Sequence, residues 1–231
     1  MRSAFLVLLE AAIWLSNQHK ECIVRIQSLF SLKPLCLAAI LCAATGAQAA
    51  ITVYTSESAF LSAVSAPGVD NFDDLTIWPY GDIVYRTAGA YNYQAYSDTG
   101  IWGAGGPTDF WLSNNNRLNP IVFSNFSGGV SAFGGNFFAS DIGGQFVPDG
   151  TLVLTAEDGG SLTYTVTGAT TASFLGFVSS SPLTSVTLSN EGGDYWPTAN
   201  NVVLAVPEPA TYGMMLAGVA LLGVAARRRR R

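Results

Sequence analysis

The side chains that most often do covalent chemistry sit at one end of the chain. Cys22, Cys36, Cys42 and the single histidine, His19, all precede residue 43 of 231. Residues 50–206 therefore hold no thiolate nucleophile, imidazole base, Ser-His-Asp triad, disulfide or histidine-ligated zinc. Carboxylates, amides, hydroxyls and aromatic rings are what remain. The same stretch has ten Asp and three Glu against two Arg (Arg86, Arg117) and no Lys, a net charge of −11, while the whole chain stands at −5. A field of that sign repels phosphate backbones, which excludes nucleic acid as a partner of this region and leaves divalent cations as its natural inorganic partner.

Calcium takes about six to eight oxygens from carboxylates, amides and carbonyls. Asp70, Asp73 and Asp74 with Asn200 and Asn201 make one candidate set, and Asn190, Glu191 and Asp194 another. Neither follows an EF-hand spacing, and Asp and Asn also make turns by bonding nearby backbone amides. Glycan binding asks for exposed aromatic platforms beside amides and carboxylates. Residues 78–116 interleave Trp78, Tyr80, Tyr85, Tyr91, Tyr93, Tyr96, Trp102, Phe110 and Trp111 with Asn92, Asp98, Asp109, Asn114, Asn115 and Asn116, and Tyr195 and Trp196 add two more aromatics late in the chain. Trp78, Tyr80, Trp102 and Trp111 are the candidate platforms. The alternative is a long surface loop whose aromatics pack inward. Glycoside hydrolysis needs only two carboxyl groups and is the enzyme class left open, but no motif selects a pair among thirteen acids. Gly103-Ala104-Gly105-Gly106 is no phosphate loop, since no lysine follows it.

Strands must position these groups. In TLVLTAEDGGSLTYTV, Leu152, Leu154 and Ala156 alternate with polar or β-branched neighbours, Glu157 to Gly160 turns, and Leu162, Tyr164 and Val166 alternate again, which predicts a hairpin. Ile51 to Tyr54, Ile121 to Phe123, Val130 to Phe137, Phe174 to Val178, Thr184 to Leu188 and Asn201 to Ala205 read as further strands between Gly/Asp/Pro turns. The pattern predicts a mainly β domain over 50–206, an antiparallel sandwich or jelly roll. One short helix is expected in SESAFLSAV, capped by Thr55 or Ser56, with Ala59, Phe60, Ala63 and Val64 on one face.

The ends read as addresses. Arg25 and Lys33, the apolar run LCLAAILCAATGA and the small-x-small triplet Ala47-Gln48-Ala49 predict an export signal over residues 1–49, cleaved after Ala49 by signal peptidase. From Met1 that signal is over-long, and Val24 is a candidate internal start. At the other end Ala210 to Ala226 is 17 residues without a charge, about 26 Å as a helix, which predicts a transmembrane segment. Arg227, Arg228, Arg229, Arg230 and Arg231 follow and place that end in the cytoplasm, with the acidic region outside.

Pro207-Glu208-Pro209, the apolar span and the terminal arginines together resemble the PEP-CTERM sorting signal of exported proteins of Gram-negative bacteria. The resemblance implies processing by an exosortase near Pro207 to Pro209, a place in the cell envelope, on the outer surface or secreted, and an association with exopolysaccharide and biofilm. ITVYTSESAFLSAV leading into VDNFDDL, and FLGFVSSSPLTSVTL, resemble segments of other PEP-CTERM ectodomains, implying a lectin-like or carbohydrate-binding-module β-sandwich. That pattern pairs Phe72-Asp73-Asp74-Leu75 with a late Asp-Asn-Val. Here the late segment is Asn200-Asn201-Val202, so the implied cation site has one charge fewer. The resulting expectation is an exported, sorted, non-catalytic module that binds extracellular polysaccharide. The alternatives are a secreted carboxylate-dependent glycan-active enzyme and a purely structural matrix protein.

Overall fold

The structure, a computed structural model, describes residues 50–208. The export signal with Ala47 and Ala49, the 210–226 span, Pro209 and the five terminal arginines lie outside the described residues.

Alternating side chains become strands because a pleated chain points successive residues to opposite faces. In β9 (Leu152–Glu157) Leu152, Leu154 and Ala156 are buried while Val153 and Thr155 are half-exposed. The chain turns at Asp158, whose carboxylate accepts the Gly160 N–H at 3.0 Å, and returns as β10 (Ser161–Val166), with Leu162 opposite Ala156 and Tyr164 opposite Leu154. The expected hairpin is present.

The remaining strands are β1 (Ile51–Tyr54), β2 (Val64–Asp70), β3 (Pro79–Ala88), β4 (Tyr91–Gly106), β5 (Asp109–Asn114), β6 (Ile121–Ser124), β7 (Ala132–Ser140), β8 (Phe146–Val147), β11 (Phe174–Ser179), β12 (Ser185–Asn190) and β13 (Trp196–Pro207). All pairings are antiparallel, in the order β1-β11-β7-β13-β5-β4-β6-β12-β9-β10, with β2 on β13, β3 on β4 and β8 on β7. The fold is a mainly β antiparallel sandwich. β4 links its two halves. Gln94 to Tyr96 pair with β6, whereas Ile101 to Gly106 pair with β5. Phe72, Phe123, Phe133, Phe137, Phe138 and Phe177 fill the space between the halves and are all fully buried. Burying an aromatic side chain of this size contributes about 1.5–3 kcal/mol.

Two local expectations change. The helix α1 is only Glu57–Leu61, because Val64 already pairs with Pro207 as the first residue of β2. Ser56 stands at its N-cap but makes no side-chain cap, and Phe60 alone is buried, in a small satellite core with Val64, Ala132, Val203 and Ala205. Residues 78–116 are no loop. They form the meander β3-β4-β5, whose buried positions include Tyr91, Tyr93, Ala95 and Ser97. The polar residues between them point outward, so what breaks up the composition is the alternation of a strand.

Candidate functional site

The ends of three neighbouring strands, β7, β13 and β5, meet the Trp102 to Ala104 stretch of β4 around a cleft of about 210 Å³. Its lining includes Trp102 on β4, Ser113 and Asn114 on β5, Ser140 at the end of β7 and Trp196 at the start of β13. The sheet register sets this grouping, with Trp102 opposite Ser113 and Trp196 opposite Ser140. Beneath it a chain of buried hydroxyls crosses the strands. Ser140 and Thr198 hydroxyls lie 2.7 Å apart, Thr198 donates to Ser113 at 3.3 Å, and Ser113 donates to the Pro197 carbonyl at 3.0 Å. Asn114 is 4% exposed. Its Nδ2 donates to the Asn119 carbonyl at 2.7 Å and to Ser97 at 3.3 Å, while its Oδ1 has no partner among the described residues. A buried acceptor left unpaired costs about 1–3 kcal/mol, a debt typical of positions awaiting water or a ligand hydroxyl.

Two loops frame the cleft. The turn from Asp141 to Gly144 is held by Asp141 Oδ1, which accepts the N–H of Gly143 and of Gln145 at 2.8 Å each. Gly105 N–H donates to the Gly144 carbonyl at 2.8 Å, and Gln145 Nε2 to the Gly105 carbonyl at 2.7 Å, so the turn is locked onto β4. Gly144 has φ +77 and lies so close to Ala104 that a Cβ would meet its Cα and Cβ at 3.0 Å. On the other side Gly103 donates to the Trp78 carbonyl at 3.1 Å, and a Cβ there would sit 2.0 Å from the Thr76 carbonyl oxygen. That close approach brings Ile77, half-exposed, into the lining beside Trp102.

A second polar cluster lies where β2 meets β3 and β4. Arg86 donates from Nε to Asp70 Oδ2 at 2.9 Å and from Nη2 to Asp70 Oδ1 at 2.6 Å. It reaches Asp74 from Nη1 and Nη2, both at 2.7 Å. The Tyr93 hydroxyl donates to Asp70 Oδ2 at 2.7 Å, and the guanidinium lies 5.2 Å from the Phe72 ring centre. Phe72 is fully buried at φ +61, a strained conformation for a non-glycine residue, and its N–H donates to Asp70 Oδ1 at 3.3 Å. Hydrogen bonds from Arg86 hold the Asp74 carboxyl below its ordinary value. Burial pulls the Arg86 guanidinium down, but the bonds to Asp74 and Asp70 outweigh it, and its pKa rises. Burial first, and then the neighbouring Asp70 charge, push Tyr93 well above its ordinary value.

Residues 205–231 match the PEP-CTERM protein-sorting motif. The chain carries a PEP-CTERM sorting signal. The PEP-CTERM motif marks an exported protein, and its first residues are part of the sheet: Ala205 pairs with Ala132, and Pro207 with Val64. Glu208 N–H donates to the Ala63 carbonyl at 3.2 Å. Among the described residues no helix is long and apolar enough to cross a membrane. No curated protein matches the chain. Among solved structures, the N-terminal CBM22-1-CBM22-2 tandem domain of Paenibacillus barcinonensis Xyn10C matches with a TM-score of 0.34 and 11% identity. That match covers 64% of this chain and 48% of the other, so the alignment spans about half of the other's length.

The candidate residues from sequence separate in space. Of the four aromatic platforms, Trp102 alone lines the cleft. Trp78 is 67% exposed outside it, and Tyr80 is half-buried with its hydroxyl accepting the Thr76 N–H at 2.8 Å. Trp111 is buried edge-on against Phe138, 4.8 Å between ring centres. The cation set Asp73, Asp74, Asn200 and Asn201 does not assemble. Asp74 gives both oxygens to Arg86, Asp73 accepts from Asn71, Asn200 donates to Asp109 and Asn201 to Asn136. The second set behaves as turn chemistry: Asn190 accepts the Gly192 N–H, and Asp194 takes Arg117. Among the described residues no group of three or more His, Cys, Asp or Glu could hold a metal ion. The Arg86 guanidinium lies between Asp70 and Asp74 and bonds both. Trp196, one of the aromatics noted in the sequence, joins Trp102 in the lining through the pairing of β13 with β7, and Asp141, read only as a turn residue, completes it.

Proposed function

We propose that residues 50–206 are a non-catalytic glycan-binding module of an exported envelope or extracellular-matrix protein, with the cleft between β4 and the ends of β7, β13 and β5 as its site. The observation that carries this reading is the pairing of Trp102 and Trp196 with Asn114, Asn115 and Ser140 in one lining. A sugar ring offers an apolar C–H face and an equator of hydroxyls. The indoles and Ile77 serve the face, and the amides and hydroxyls serve the equator. The volume suits a single ring of a chain that continues outside. Strand ends and locked turns hold the groups in place before binding, which reduces the entropy lost on association. Two broader hollows, of about 510 Å³ beside Tyr164 and about 620 Å³ beside Tyr85, have no tryptophan in their linings.

Asp141 is the one carboxylate in the cleft lining. Hydrolysis by paired carboxyl groups needs a second across the bond, which supports binding without turnover. On this reading signal peptidase releases the chain after Ala49, the 210–226 span holds it in the inner membrane, and an exosortase acts at Pro207 to Pro209. Residues 207–231 then serve as the sorting and anchor segment, with Pro207 also closing the ladder of β13 on β2.

The test is affinity electrophoresis of the protein in gels containing neutral, amine-bearing and acidic polysaccharides, with reducing-sugar release followed in parallel. Retardation is expected on at least one polymer, weakened about tenfold or more by Trp102→Ala and by Trp196→Ala, since truncating a buried aromatic anchor costs about 2 kcal/mol. A chelator should leave it unchanged. Retardation unaffected by both variants would refute the cleft as the site, and sugar release would replace the module with an enzyme.

A further inference from the structure

The charges around the cleft select among glycans. Its lining contains no Lys, Arg or His. Among the described residues the two arginines are both committed, Arg86 to Asp70 and Asp74 and Arg117 to Asp194 at 2.8 Å. No cation is therefore at hand to meet a uronate, sulfate or phosphate group, and the net charge of −11 over residues 50–206 repels such polymers before contact. The same field concentrates cations.

Within the cleft that preference has a specific receiver. Asp141 Oδ1 is engaged by two backbone N–H groups, whereas its Oδ2 accepts no hydrogen bond among the described residues. Trp102 and Trp196 line the same space. A carboxylate oxygen with spare capacity, in a lining that also holds two indoles, offers the two interactions an ammonium group uses. The carboxylate gives a charge-assisted hydrogen bond, and the negative faces of the rings attract the cation. An acetamido N–H or a hydroxyl can also donate to the carboxylate, but neither carries the positive charge that adds ion pairing and the attraction to the ring faces.

We infer that the cleft recognises amine-bearing sugars, so that its ligand is a polysaccharide containing unacetylated, protonated hexosamine units. The inference rests on the glycan-binding reading and adds the class of sugar. Asp141 has two separable tasks. One oxygen shapes the turn, and the other meets the ligand.

The experiment titrates the protein with β-1,4-linked glucosamine oligomers and N-acetylglucosamine oligomers of equal length, and with oligogalacturonate, in mildly acidic buffer of low ionic strength. The expected result is glucosamine binding about fivefold tighter than N-acetylglucosamine, the size of one solvent-exposed ion pair, with no binding of oligogalacturonate. In Asp141→Asn the retained Oδ1 still accepts from Gly143 and Gln145, so the turn keeps its shape while the affinity ratio falls to near one. Added salt lowers the wild-type ratio as well. Equal affinities in the wild type, a preference for oligogalacturonate, or a ratio that survives Asp141→Asn would each overturn the inference and leave the glycan site standing. Absence of binding to every oligomer and to every polysaccharide of the gel test would overturn both.

Discussion

Replacing Arg86 by Met should be among the most damaging single changes in the protein, and the structure says through which arm. The Arg86 and Asp70 side chains are 10% and 4% exposed, whereas Asp74 is 68% exposed. Removing the guanidinium leaves Asp70 with only the Tyr93 hydroxyl and the Phe72 N–H. Stranding one partner of a buried ion pair costs about 3–5 kcal/mol. The arm to Asp74 lies in water and contributes about 0–1 kcal/mol. Arg86→Met should therefore lose about 3–5 kcal/mol, a large part of the roughly 5–15 kcal/mol that holds a domain folded, and Asp74→Asn no more than about 1 kcal/mol. Asp70→Asn combined with Arg86→Met removes both buried charges and should be more stable than Arg86→Met alone. Urea unfolding followed by tryptophan fluorescence measures all three, with midpoints compared at constant slope. Equal losses in Asp74→Asn and Arg86→Met would refute the reasoning, because the exposed arm would then carry the energy.

Lowering the pH tests the same cluster from the other side. Asp74 titrates below its ordinary 3.8 when folded, so its contribution is complete above that value and fades as the pH falls further. Asp74→Asn should flatten the acid limb of stability there. Tyr93 behaves in the opposite sense. Its pKa is raised above the ordinary 10.0, so the stability it lends is intact below pH 10.0 and is lost as the pH climbs through the raised value. Tyr93→Phe should remove one proton from the alkaline slope, read by unfolding at graded pH. Gly103→Ala forces a Cβ to within 2.0 Å of the Thr76 carbonyl and should cost about 1–3 kcal/mol in thermal unfolding. Glu208→Ala in the full precursor should leave the unprocessed form accumulating in a pulse-chase, if the PEP tripeptide is what the sorting enzyme reads.

The elements that local pattern revealed are those whose two faces differ in polarity. The hairpin of β9 and β10 was legible because alternation runs through both arms and a glycine turn joins them, and β1 because the β-branched and aromatic run Ile51-Thr52-Val53-Tyr54 precedes a polar break. β4 was hidden. Its buried face uses Tyr, Ala and Ser in place of large aliphatics, and it bends at Gly100, where φ is +99, to pass from one half of the sandwich to the other. The site divides in the same manner. Trp102 stands out in a glycine-rich stretch, but its companions on β5, β7 and β13 arrive through pairings such as Ala199 with Leu112, which no local motif encodes. The acidic segment around Asp70 carried a clear excess of carboxylates. What it could not announce was an arginine on the next strand, 16 residues away, that bonds those carboxylates.

β13 begins at Trp196 in the cleft and ends at Pro207 in the sorting motif, with β7 along one edge and β5 and β2 along the other. Twelve residues of extended chain separate the two by about 40 Å. A tension drawn between a partner in the cleft and the far end of the chain would therefore run lengthwise down an interior strand. It would shear the ladders on both sides together, with no edge strand to unzip one bond at a time.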